Sequence, residues 1–542
     1  MRKQTKLVAV LSTAALLALG ASMSSFAAVG WAEENGTWVY YDKGGDLVAD
    51  TWAKSGENWF YLDDSGEMTT DSIVEWRDDY YYVDVNGAMV SNTWVSVENE
   101  DYDGEDAPIT LWYYFGANGK AYTGKSDGPS FKTINGKKYT FDEEGRMQYG
   151  WIGADGKRDT SDTAWEEAEY YCGDENDGAQ AIGWKFLEIV DENYESDLSP
   201  MTSSKNVFDD SDQTRWFYFK ANGKKEHSKD GTTINGAKYS FDENGRMNAE
   251  WSTKKDATPG DSYGTPGNAT ASDWRYYRTP EEGARVSKGW FKTVPDERLN
   301  GKDYADDKEA WYYADGKGQL VAEEIKEING KRYVFDESGK MKSGLLLLQL
   351  NPNNSRKVMA IEGDDDIDTE ETFKANINTK ISNGYGLYYF GSSDSDGAMK
   401  TGKVNVSLDG DTFAFNFGKS GLSRGVGKNG EDSKKIYQGG MLLKADKDER
   451  YAVVKEYAIN NVKVYKLLST EEFLLEAMDS IAPVEGSKES ASYVWKSGVD
   501  KSKYFLVNTS GTIQSGKSTA KDGNDFTFKQ SGKLIDRVYI KD

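Results

Sequence analysis

Tryptophan and tyrosine recur in this chain at fixed spacing, and what they offer is aromatic faces. Trp38-Val39-Tyr40-Tyr41-Asp42, with Trp52 after it, returns as Trp59-Phe60-Tyr61-Leu62-Asp63, then Gly66-Glu67-Met68 and Trp76. An aromatic face attracts a quaternary ammonium by about 0.5–2 kcal/mol per contact, or stacks on the apolar face of a sugar ring. The chain spends 16 Trp and 34 Tyr where Val or Ile would fill a core. Many weak aromatic cages on one chain would hold a polymer by avidity.

Covalent chemistry has few candidates. His227 and Cys172 are the single histidine and the single cysteine of 542 residues. A histidine-ligated zinc amidase and a cysteine–histidine peptidase therefore both lack parts. Cys172 follows Tyr170-Tyr171 as Asp42 follows Tyr40-Tyr41, and reads as a repeat-position variant; His227, after Lys224-Lys225-Glu226, reads as an exposed turn residue. Acidic residues number 91, too many for a glycosidase carboxylate pair to be recognised by counting. No segment outside the repeats approaches the size of a hydrolase barrel. Asp364 to Asp368, and Asp101 with Asp103, lack EF-hand spacing and read as solvated loops. No catalytic residue, metal or cofactor is expected, and the chain is read as a non-enzyme.

The elements that must position the aromatics are hairpins. Gly45, Gly66 and Gly87 are spaced by 21 residues each, a period that marks a solenoid or array. The aromatic strands alternate as half-buried strands do, and Asn86-Gly87, Asn118-Gly119, Asn222-Gly223 and Asn244-Gly245 supply the positive φ of hairpin turns. A longer period overlies the first: Ile134 to Met147 returns at Ile234 to Met247 and at Ile328 to Met341, offsets of 100 and 94. Polar insertions, Glu98 to Asp106, Asp155 to Glu167, Lys185 to Thr214, Lys254 to Ser272 and Lys292 to Glu309, separate a Trp from the next aromatic strand. Leu345 to Leu348 reads as a buried strand. Ser469 and Glu472 stand at capping-box spacing ahead of a short helix.

The expected fold is all-β, a β-hairpin repeat solenoid with irregular insertions and a small mixed insertion near the C-terminus. Its parts are a signal peptide (1–27), N-terminal hairpin repeats (28–110), three longer modules (111–344), an irregular insertion (345–385), degenerate repeats (386–425), a non-repeat insertion (426–500) and C-terminal capping repeats (501–542). The start of the chain, with Arg2, Lys3 and Lys6 before an apolar stretch and Ser25-Phe26-Ala27, reads as a secretory signal. No other segment is long and apolar enough to span a bilayer. The tail to Asp542 shows neither sorting motif nor anchor, so attachment to a cell is expected to be non-covalent. The net charge of −25 argues against nucleic acid and anionic membrane as partners.

The runs Trp59 to Met68 and Lys138 to Trp151 resemble the cell-wall-binding repeats found in choline-binding surface proteins and autolysins, glucan-binding glucosyltransferases and large glucosylating toxins. The resemblance covers Gly30 to about Gly425 and resumes at Tyr504. It implies a hairpin solenoid with choline or sugar between consecutive hairpins. Its implied ligand-binding sets are Trp52 with Trp59 and Tyr61; Trp151 with Tyr170 and Tyr171; Trp184 with Trp216 and Tyr218; Trp251 with Trp274 and Tyr276; and Trp290 with Trp311 and Tyr313. It further implies a secreted protein attached to cell-wall polysaccharide or teichoic acid. An adhesin or toxin-like lectin for foreign glycans is the alternative, and a wall or glucan hydrolase the next.

Overall fold

The computed structural model describes residues 29–541 apart from 103, 105–106, 126, 193–209, 254–269, 364–366, 392, 394–395, 484, 517–518 and 522–525. The expected signal peptide, Asp103, Asp364 to Asp366 and much of the insertions Lys185 to Thr214 and Lys254 to Ser272 lie outside the described residues. The chain divides into two units: residues 1–198, 208–230 and 240–247, and residues 199–207, 231–239 and 248–542.

The fold is all-β and built of antiparallel hairpins. In the first unit Gly30–Glu34 pairs with Thr37–Tyr41, Thr51–Ser55 with Asn58–Leu62, Ser72–Trp76 with Asp79–Val83, and Thr93–Glu98 with Thr110–Phe115. Two-residue turns close several of them, with both residues left-handed: Asn35 and Gly36 at φ 53° and 87°, Arg77 and Asp78 at 54° and 64°. This conformation matches the twist of the flanking strands.

The glycines with the 21-residue period sit in a different turn. They follow the aromatic strand and lead to a short third segment, bridged as Tyr41↔Leu47, Leu62↔Met68 and Val83↔Met89. Positive φ is present as expected, +77° at Gly87, but the tight closures between paired strands are the two-residue turns. An aspartate stabilises each glycine turn: the Asp63 carboxylate accepts from the Ser65 and Glu67 amides, both at 2.9 Å, and Asp84 does the same for Asn86 and Ala88.

Adjacent repeats are joined through the backbone. The Met68 amide donates to the Trp38 carbonyl at 2.7 Å, Met89 to Trp59 at 2.8 Å, and Met147 to Trp112 at 2.8 Å. Side chains interlock at the same junction, since a Cβ on Gly87 would meet the Met68 Sδ at 2.9 Å. A lone two-stranded hairpin is marginal in water; these links and the shared aromatic face supply what it lacks.

The insertions lengthen hairpins. Gly183–Val190 pairs with Asp212–Phe219 in unbroken register from Gly183↔Phe219 to Val190↔Asp212, so residues 185–190 and 212–214 of the insertion from Lys185 extend the two strands of one hairpin. The insertion from Asp155 adds a strand, Arg158–Asp159, and a helical turn, α1 (Ala164–Glu167), that buries Trp165. The insertion from Lys292 contains α2 (Glu297–Ala305), interrupted at Asn300 and capped by Asp296.

In the second unit the repeats merge into larger sheets. The segment expected to be irregular, 345–385, holds the hairpin Leu345–Asn351/Asn354–Glu362 and the helix α3 (Glu370–Ser382). Leu346, Leu347 and Leu348 are buried as read from the sequence, and Phe373 and Ile377 of α3 share a core with Leu347 and Phe415. Past Tyr451 comes α4 (Thr470–Ala477), with the capping box between Ser469 and Glu472. The expected capping repeats over 501–542 are not a separate element: Tyr504–Asn508 pairs with Tyr451–Ile459, and Leu534–Lys541 pairs with Glu489–Trp495. Phe473, Leu506, Phe528 and Val538 close one core around α4. Among the described residues no helix is long and apolar enough to cross a membrane.

Candidate ligand-binding seams

Cross-strand register sets the candidate sites. Trp52 stands opposite Tyr61, Trp151 opposite Tyr171, Trp184 opposite Tyr218, Trp251 opposite Tyr276, and Trp290 opposite Tyr313. Two residues before each of four of these tyrosines stands a second tryptophan, Trp59, Trp216, Trp274 or Trp311, which the two-residue period of a strand puts on the same face. The implied residues therefore gather within one hairpin. The next hairpin supplies a further wall: Tyr81 lies 5.1 Å from Trp52, Phe241 5.7 Å from Trp184, and Tyr333 4.8 Å from Trp290. Each such aromatic face forms a seam between successive hairpins.

Two seams share an open right-angled geometry. Trp184 and Trp216 meet at 6.1 Å and 87°, and Trp290 and Trp311 at 6.3 Å and 86°, with Tyr218 and Tyr313 at 5.1 Å and 5.2 Å from their tryptophans. All four tryptophans are partly exposed. In the first repeats Trp52 packs on Tyr61 at 5.3 Å while Trp59 is 40% exposed with Lys54 over its ring.

The two remaining sets differ from the expectation. Trp251 and Trp274 have the same right-angled pairing, 6.1 Å and 89°, but are 1% and 0% exposed. Phe291 and Tyr312 cover Trp251, whose indole N–H donates to the Val294 carbonyl at 2.8 Å, and the Arg298 guanidinium of α2 lies 4.9 Å over Trp274. The insertion from Lys292 thus fills this seam. In the Trp151 set only Tyr171 faces the tryptophan, at 5.0 Å; Tyr170, one residue away and so on the opposite face, packs on Phe131 at 5.1 Å. Phe217, 5.3 Å from Trp151, takes the place expected for Tyr170.

Two seams lie outside the implied sets: Trp31 stands opposite Tyr40 at 5.2 Å with Phe60 of the next hairpin at 5.2 Å, and Trp94 forms the other. Trp94 lies 5.2 Å from Tyr114 and 4.9 Å from Tyr139, and Trp112 belongs to the same cluster. The spacing Trp112-Tyr113-Tyr114 repeats that of Trp216-Phe217-Tyr218, and was the available signal.

Reactive side chains are poorly placed. Cys172 is fully buried, and burial pushes its thiol up to about 12, so no thiolate forms at neutral pH. His227 is exposed, as expected; partial burial of its ring and the nearby Lys225 and Lys220 charges push its pKa down. Among the described residues no group of three or more His, Cys, Asp or Glu side chains is placed to hold a metal ion.

Antiparallel hairpins in series with aromatic faces at their junctions define a β-hairpin repeat protein. Residues 50–68, which include Trp52, Trp59 and Tyr61, match the putative cell wall binding repeat, and the chain carries that repeat. No curated protein matches the chain. Similar solved structures include CbpJ from Streptococcus pneumoniae TIGR4, at 19% identity over 58% of this chain and 94% of that one, TM-score 0.30. Choline binding protein F from Streptococcus pneumoniae is similar at 18% identity over 71% and 96%, TM-score 0.29. The modular autolysin LytC of the same organism is similar at 17% identity, TM-score 0.30, over 63% of this chain but only 59% of the autolysin.

Proposed function

We propose that this is a secreted, non-catalytic protein that holds cell-wall polymer through its aromatic seams, with the choline of teichoic acid as the group recognised. The observation that carries this reading is the right-angled tryptophan pair closed by a tyrosine at Trp184–Trp216–Tyr218 and again at Trp290–Trp311–Tyr313. Three faces meeting at a corner suit a compact cation, which gains from every face at once, whereas a flat sugar ring gains from one. The net charge of −25 favours a cationic group over an anionic one. The repeat matched at residues 50–68 supports wall attachment. Retention by the wall then rests on several weak seams acting together.

The test is tryptophan fluorescence of the purified protein titrated with choline chloride and, separately, with soluble α-glucan. A saturable change with choline, reduced in Trp184→Ala and again in Trp290→Ala, is expected. A response to glucan alone would replace choline by glycan as the ligand. Release of reducing sugar or peptide from purified walls would overturn the non-catalytic reading.

A further inference from the structure

Lys225 is a buried lysine at a position that elsewhere in the array is mostly apolar. In each of these repeats the second residue after the turn glycine bridges back to the aromatic strand: Tyr41↔Leu47, Leu62↔Met68, Val83↔Met89, Phe115↔Ala121, Phe141↔Met147, Phe219↔Lys225, Phe241↔Met247, Tyr277↔Arg285 and Ala314↔Leu320. That residue packs into the seam of the preceding tryptophan. Met89 clusters with Trp52, Met147 with Trp94, Leu320 with Trp251 and Met341 with Trp290. At the seam of Trp151 the same place carries an ammonium.

The surroundings of that ammonium are built for it. Lys225 is 4% exposed. Its methylenes run beneath Gly245, where a Cβ would meet Cδ at 2.8 Å. Nζ lies 5.5 Å from the Trp151 ring centre and 6.0 Å from that of Phe217. It also donates to the Trp165 carbonyl and, at 3.0 Å, to the Glu166 carbonyl, both in α1. Aromatic faces on one side hold the charge, and the carbonyls of α1 take N–H donors that only a primary ammonium has. The insertion from Asp155 thus supplies the fixings for a cation that arrives from the next repeat.

We propose that Lys225 is a built-in ligand: its ammonium occupies the Trp151 seam as an external quaternary ammonium would, and so withdraws that seam from choline binding. This rests on the reading of the open seams as choline sites. The ligand-accepting seams are then the right-angled ones at Trp184 and Trp290, while the Trp151 seam is closed by Lys225 and the right-angled seam at Trp251 by α2 with Arg298.

Calorimetric titration of the purified protein with choline chloride tests this, comparing wild type with Lys225→Met, which copies Met247, with Lys225→Ala, which copies Ala121, and with Trp151→Ala. Expected is a stoichiometry one higher in each Lys225 variant, returned to the wild-type value by adding Trp151→Ala, which alone changes nothing. If wild type binds choline while both folded Lys225 variants gain no site, or if Trp151→Ala alone loses one, the built-in ligand is overturned and the choline reading stands. If wild type binds none while Lys225→Met binds one choline that Trp151→Ala abolishes, the built-in ligand stands and the wider reading falls. Silence from every folded variant overturns both.

Discussion

At the scale of single residues, the charges that the array buries are the ones with consequences for stability. Burial pushes the Lys225 ammonium down to about 8, against the opposing pull of Asp242, Glu166 and Glu169 and with the added repulsion of Arg246. An unfolded lysine holds its proton to about 10.5. Between these values the unfolded chain keeps a proton that the folded chain has released, so this residue makes stability rise with pH across that window. Below about 8 the cost of burying the charge is present in full, on the order of a few kcal/mol. Denaturant midpoints of wild type and Lys225→Met are therefore expected to differ most near pH 7, with wild type the less stable, and to converge towards about pH 10. A gap that stays constant would show that the proton is retained. Tyr61 acts in the opposite sense: burial and Asp50 raise its hydroxyl to about 12, so stability falls as pH rises above about 10, where the unfolded tyrosine ionises. Of the site residues, the cross-strand partners Trp184 and Tyr218 were legible because strand alternation sets which side chains share a face. Arg298 over Trp274 was not, because it arrives from an insertion with no periodicity. Lys225 was legible in part, as a lysine where the repeat places methionine.

At the scale of elements, the junction between repeats is the stabilising unit, and Gly87 shows why its glycine is needed. A side chain there would suffer twice: φ is +77°, and the new Cβ would lie 2.9 Å from the Met68 Sδ of the preceding repeat. Gly87→Ala is expected to cost about 2 kcal/mol or more in denaturant unfolding, the left-handed backbone alone accounting for about 1–2 kcal/mol. Adding Met68→Ala should recover part of that loss, giving a double-mutant cycle whose terms do not add. Simple additivity would mean that the methionine moves aside at no cost. The repeat hairpins were readable from alternation and turn chemistry, and α4 from its capping box. Helix α3 was missed although Phe373, Ile377 and Ile381 stand four residues apart, because the acidic run before it masked a start that is capped by Thr369 and Thr372 instead of a glutamate. The strand Phe526–Ser531 and its neighbour Leu534–Lys541 belong to one sheet with Glu489–Trp495 and not to a capping repeat. Their pairing, with Phe526 opposite Ile540, which in turn stands opposite Ala491, joins segments whose separation leaves no local mark.

At the scale of the whole molecule, stability should be distributed among cores instead of lost in one step. Repeat arrays and chains with several cores depart from two-state unfolding. Phe473 of α4 is fully buried against Trp495, Tyr504 and Phe528, and Phe473→Ala is expected to remove about 3–5 kcal/mol from the C-terminal core. Calorimetry should show that loss as a lowered transition for this part alone, with the choline-dependent fluorescence of the Trp184 seam retained; a single shifted transition for the entire chain would contradict it. The interlocked junction also bears on how such a chain changes over generations. The Met68 side chain fits beneath the Gly87 of the repeat that follows, and Met89 fits beneath Gly119 in the same way. Successive joints are thus near-copies of one another, and a gene that loses or duplicates a whole unit by unequal crossing-over re-forms a joint of the same shape. On the proposed reading, the number of ligand seams, and with it the grip on the wall, is then inherited as a variable length, and a lysine at one methionine position silences a seam without shortening the chain.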